Sequence, residues 1–178
     1  ALVMRMKSIL EGKTATLVPW ESDTLSLLCA QPIDETTQGL FIKTKSDGLI
    51  GTIYQEPVAA YTKSYLGESF VLMVRTKTDS YLFRKSKQQT EVWLNERPFC
   101  VVVGNNILSG DDSGKLIGQL STSSGVAEQT LLIKNNPVAT LLLNHEPDEV
   151  NPRVIHPMAN LEQDHLELAK ALAFNSIA

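Results

Sequence analysis

The sequence predicts a mainly β protein: a closed barrel of about twelve antiparallel strands with a hydrophobic C-terminal helix through or across its centre. Three observations carry this expectation. Short runs rich in Val, Ile, Leu, Thr, Phe and Tyr recur at regular spacing, separated by Gly, Asn, Asp, Ser and Pro clusters. Two of those clusters, Ser46-Asp47-Gly48 and Asp112-Ser113-Gly114, have the residue chemistry of hairpin turns. A single sustained helical period occupies the last stretch, NLEQDHLELAKALAFNSIA.

Taken in order, strands are expected at Ala15 to Pro19, Thr24 to Ala30, Leu40 to Lys45, Leu49 to Gln55, Phe70 to Thr76 and Ser80 to Lys87. A second group follows at Thr90 to Leu94, Pro98 to Val103, Asn106 to Ser109, Leu116 to Ser121, Gln129 to Ile133 and Ala139 to Asn144. Full closure would leave no exposed edge. Two internal echoes point to reuse of one hairpin. Leu49-Ile50-Gly51 returns as Leu116-Ile117-Gly118, and a glycine inside a strand marks a bulge, a bend or a close backbone approach. Val92 to Phe99 matches Leu131 to Val138 when aligned on Pro98 and Pro137. The two echoes have different offsets, so they are self-similar hairpins and not a solenoid period.

The helix is expected over residues 161–177. Asn160 is placed to cap its first turn, with Gln163 reaching back to the cap, and Glu162 and Asp164 sit where the helix dipole favours negative charge. Leu161, His165, Leu168, Leu172 and Asn175 form one stripe; Leu166, Ala169, Ala173 and Ile177 fill an adjoining one. At about 1.5 Å per residue the rod is roughly 25 Å long. Periodicity leaves two placements open, inside the barrel or across a sheet face or barrel mouth. Glu167 and Lys170 interrupt the apolar surface and require a mouth position or a polar partner in either case.

The 178 residues fit one domain, 43% of them hydrophobic. A net charge of −4 gives no overall positive field toward phosphate, which argues against a general nucleic-acid binder. Cys29 and Cys100 both lie in apolar runs and read as buried free thiols, which suits a cytoplasmic or other reducing compartment. ALVMRMKSILEG lacks the long uncharged apolar run and cleavage site of a secretory signal, and no stretch has the length and apolarity of a transmembrane helix.

Hairpins carrying the string D-S-G-K-L-I-G, about twelve strands and an apolar helix at the extreme C-terminus together resemble the tubby and phospholipid-scramblase superfamily, to which the plant LURP-one-related proteins belong. The resemblance spans nearly the whole chain. It implies a closed twelve-stranded barrel with the last helix threaded through its centre, and a protein that contacts anionic lipid headgroups at a membrane periphery or a protein partner. Several accessory features of that superfamily are absent from the sequence: an acylation-type cysteine cluster, a proline-rich arm and an acidic calcium segment. Glu146, Asp148 and Glu149 lack the alternate spacing and turn glycine of an EF-hand loop, so calcium binding is not carried over.

The one local feature suited to an anion is Arg75 to Lys87, with Arg75, Lys77, Arg84, Lys85 and Lys87 against a single Asp79. A turn at Thr78-Asp79-Ser80 would bring the flanking strands together, and alternation would place Arg75 with Lys77 and Lys85 with Lys87. The competing reading is a solvated strand pair whose lysines discourage edge-to-edge aggregation. Other chemistry has less support. His145, His156 and His165 share no metal-ligand spacing, and no nucleophile elbow, P-loop or dinucleotide fingerprint occurs. Asp111 and Asp112 read as the start of a turn, Ser121 to Ser124 as a flexible connection, and Trp20 and Trp93 as packing residues. The expectation is a non-enzymatic binding or scaffold domain without cofactor or metal. A small-ligand carrier, a barrel with an interior pocket plugged by the helix, is the alternative.

Overall fold

The computed structural model describes residues 1–38, 44–122, 127–143, 150 and 152–177, and the chain begins in a helix, not a strand. α1 (Leu2–Glu11) has a helical apolar period, with Leu2, Val3, Met6, Ile9 and Leu10 on one side. Two 3₁₀ segments follow, Thr14–Thr16 and Ser22–Leu27, where strands were expected at Ala15 to Pro19 and Thr24 to Ala30. The second is fixed locally: the Glu21 N–H donates to Thr24 Oγ1 at 2.9 Å, a side-chain bond that competes with a sheet ladder.

Among the described residues, twelve strands form one antiparallel sheet in sequence order. They are β1 (Cys29–Gln38), β2 (Lys45–Ile53), β3 (Glu56–Leu66), β4 (Ser69–Thr76), β5 (Ser80–Lys85) and β6 (Thr90–Leu94), then β7 (Arg97–Val103), β8 (Asn106–Ser109), β9 (Leu116–Thr122), β10 (Glu128–Ile133), β11 (Asn136–Leu142) and β12 (Ile155–Pro157). From β4 to β11 the elements follow the expected runs to within a few residues. Before β4 only the run expected at Leu49 to Gln55 has a clear counterpart, in the second half of β2. Polar β1, alanine-containing β3 and short β12 were not anticipated, and the run expected at Leu40 to Lys45 lies mostly outside the described residues, as do Asn144, His145 and residues 123–124.

Ser46-Asp47-Gly48 is strand interior and not a turn. Its glycine serves a close approach: a Cβ on Gly48 would lie 1.9 Å from the Asp34 carbonyl oxygen of β1. The actual turn is Tyr54-Gln55, both at positive φ. It joins Asn95-Glu96 and Lys134-Asn135 as a third two-residue turn of one type, each followed two residues later by proline, at Pro57, Pro98 and Pro137. Asp112-Ser113-Gly114 does lie in the turn between β8 and β9, with Gly114 at φ +57°.

α2 (Gln163–Ile177) starts after Asn160, and the first helical bond runs from the Leu166 N–H to the Glu162 carbonyl, so the expected Asn160 and Gln163 capping box is not formed. The helix buries Leu166, Leu168, Ala169, Ala171, Leu172, Ala173 and Phe174. At 100° per residue these positions face every direction around the axis. They share one core with Ile50, Val58, Leu72, Phe83, Val92, Cys100, Ile107, Leu131, Leu141 and Ile155, which come from strands spread across the sheet. Phe174 is the aromatic centre, 5.2 Å from the rings of both Trp20 and Tyr81.

The ladder itself is not closed, since β1 and β12 are its two ends and do not pair with each other. They meet at a short seam. Cys29 and Arg153 form an isolated antiparallel bridge, the Ala30 N–H donates to the Pro152 carbonyl, and the Val154 N–H donates to the Leu28 carbonyl, both at 2.9 Å. The closed barrel expected from the sequence is thus reduced to a twelve-stranded sheet with a seam of a few bonds. The break has a physical reason: β12 has only three residues, too few to ladder along the ten of β1.

Because Leu172 is 3% exposed and faces this core, Leu172→Ala should cost about 2–5 kcal/mol in chemical denaturation. Ala169→Asp should abolish soluble folding, since it places a charge against packed apolar side chains. A cooperative unfolding transition in Ala169→Asp close to that of the unaltered chain would refute the enclosure of α2.

Candidate functional site

A second, smaller core lies on the outer face of the sheet. Alternation along β3 and β4 turns Ala60, Val71 and Met73 outward, and α1 covers them with Met6 and Leu10. With ten residues the helix is roughly 15 Å long and sits over β3 and β4, with Leu82 of β5 at the edge of its cluster. Between its flank and strands β5 and β6 run two adjoining hollows of ≈ 440 and ≈ 420 Å³, which share Lys7, Met73, Ser80 and Glu96. Arg75 lines the first and Arg84 the second.

The strand register sets this placement. Arg75 pairs with Ser80, and Arg84 pairs with Val71, four residues further along β4 and so roughly 13 Å away. Both face the α1 side. The Arg84 guanidinium lies 5.4 Å from the centre of the Trp93 ring, a cation–π arrangement. Lys7 and Glu96 form an ion pair between the hollows, whereas neither arginine has a carboxylate in ion-pair reach among the described residues.

The other cations singled out in the sequence do not join this groove. Lys77 is exposed in the turn between β4 and β5. Lys85 is adjacent to Arg84 and turns to the opposite face, its ammonium 5.5 Å from the Phe70 ring. Lys87 forms an exposed ion pair with Glu68 at 2.7 Å. The expected convergence therefore fails for the set of five. A hairpin brings together residues equidistant from its turn, and the cations of β4 and β5 are not equidistant. Lys7 was missed because the N-terminal segment was not read as a helix, although the period from Leu2 to Leu10 was there to find. Trp93, read as packing, is partly exposed and supports Arg84.

Three charged groups elsewhere have local partners. The Lys170 ammonium donates to the Trp20 carbonyl at 2.8 Å and lies 5.4 Å from the Trp20 ring; burial lowers its pKa, offset by the surrounding Asp79, Glu21 and Glu167. The Asp111 carboxylate accepts bonds from the Ser113 hydroxyl and N–H, which hold it below the usual carboxylate range and close the turn. His156 Nε2 lies 3.3 Å from Glu128 Oε1 at the surface. Among the described residues no group of three or more His, Cys, Asp or Glu side chains could hold a metal ion, and no helix is long and apolar enough to cross a membrane.

Cys100 is buried in the core, and burial pushes its thiol up to about 12 from 9.0. A raised folded-state pKa stabilises fully below the unfolded value and loses that contribution as pH rises through the folded one. Unfolding measured between pH 9 and 12 should show a stability decline that is shallower in Cys100→Ala. At neutral pH the thiol should resist an aromatic disulfide reagent until denaturant is added; rapid native-state labelling at Cys100 would contradict its burial.

No protein-family model, curated protein or solved structure matches the chain.

Proposed function

We propose that the chain is a non-enzymatic binding domain similar to tubby and scramblase-like proteins, a barrel closed at the Cys29–Arg153 seam, whose outer groove beside α1 takes anionic lipid headgroups. The observation that carries this reading is the burial of α2 on all sides, which fills the centre and moves recognition to the exterior. On that exterior, Arg75 and Arg84 line adjoining hollows without carboxylate partners among the described residues. A delocalised guanidinium suits bidentate contact with phosphate oxygens. The enclosed helix gives no support to a carrier with a central ligand store.

Co-sedimentation with vesicles containing phosphatidylserine or a phosphoinositide tests the reading. Binding should weaken as salt rises, because exposed charges are screened beyond a Debye length of about 10 Å at 0.1 M. Neutralising Arg75 or Arg84 to Gln should each weaken it about fivefold, as about 1 kcal/mol per cation near an anionic surface implies. Lys87→Gln, whose cation is already paired with Glu68, should have a smaller effect. Salt-independent binding, or binding unaltered in Arg75→Gln/Arg84→Gln, would refute the proposal and leave a protein partner as the occupant of the groove.

A further inference from the structure

The enclosure of α2 is incomplete at one end. Where its first turns emerge between β7, β9 and β10, a cleft of ≈ 570 Å³ separates helix from wall. Its floor is apolar, made by Phe99, Ile117, Leu132 and Leu168. Its rim is charged, and the charges are sorted: Lys115 and Lys134 stand on the strand side, Glu162, Asp164 and Glu167 on the helix side. Among the described residues no ion pair joins the two rims.

We infer that this cleft is a binding site, separate from the outer groove, for a small zwitterion with an apolar body. The size falls within the few hundred to about a thousand Å³ typical of small-molecule sites, which are mostly apolar with a few convergent polar groups. An apolar body would cover Phe99, Ile117, Leu132 and Leu168. A positive group would face the carboxylates of Glu162, Asp164 and Glu167 while a negative group faces the ammonium groups of Lys115 and Lys134. A ligand of either single charge meets a like-charged rim on one side, so the sorted arrangement selects by repulsion as well as attraction.

Two ligand sources share this chemistry: a single-chain lipid with a phosphocholine head, and a short apolar peptide with free termini. Titration of the full chain with dodecylphosphocholine below its micelle concentration, and with leucyl-phenylalanine, distinguishes them. Dodecyl maltoside and the same dipeptide acetylated and amidated serve as uncharged counterparts. At least one zwitterion should bind saturably, about tenfold tighter than its uncharged counterpart. That preference should vanish both in Lys115→Gln/Lys134→Gln and in Glu162→Gln/Asp164→Asn/Glu167→Gln, with the thermal transition retained. The site is overturned if neither zwitterion saturates, if the uncharged counterparts bind as tightly, or if both the basic-side and the acidic-side variants bind like the unaltered chain.

Discussion

The structure depends on one constraint, that a single helix must be buried around its entire circumference. No one sheet face does this for a helix, and an ordinary amphipathic helix does not require it. α2 carries buried side chains at nearly every position from Leu166 to Phe174, so the wall must supply apolar residues in every direction. Ala169, Ala171 and Ala173 keep parts of the helix thin where the wall comes close, while Phe174 fills the space between Trp20 and Tyr81. Lys170 interrupts this apolar run. Its ammonium is tolerated because a backbone carbonyl and the Trp20 ring receive it, replacing part of the hydration it loses.

Filling the centre shifts chemistry to the periphery. Cys100 and Tyr81 inside are held in their neutral forms by desolvation, which suits packing. Outside, α1 makes a second core by covering Ala60, Val71 and Met73, and the strip of sheet it leaves bare becomes a groove. The groove thus follows from a mismatch in size between a short helix and a broad sheet. Arg75 and Arg84 are placed in it by the same alternation that sends Tyr81 and Phe83 inward.

The sequence was most informative where local chemistry and tertiary environment agree. From Phe70 onward, alternating apolar strands and Asn- or Asp-containing turns mark the hairpins well, and the terminal helix is legible from period and composition. Its enclosure was expected from the resemblance and not from the period, which reports how wide an apolar face is and not what covers it. The first third misled for separate reasons. Ser46-Asp47-Gly48 has turn chemistry yet lies in β2, where Gly48 answers to the backbone of β1 and not to a turn. β1 from Gln31 to Gln38 is exposed throughout, so no burial pattern marks it. Pro57 and two adjacent alanines disguise β3, although Ala59 and Ala60 are fully buried on its opposite faces.

The basic run from Arg75 to Lys87 shows why a cluster in sequence is not a cluster in space. Along a hairpin, proximity is governed by register: Arg75 meets Ser80 and Lys85 meets Phe70, so no cation of one strand faces a cation of the other. Alternation then splits neighbours, sending Arg84 to the outer face and Lys85 away from it. What brings Arg75 and Arg84 into relation is Lys7 on α1, distant in sequence and joined to Glu96 between the two hollows. A site of this kind is assembled by the packing of a helix on a sheet. Its members become identifiable only once the helix, the outer face it covers and the register of β4 with β5 are all known.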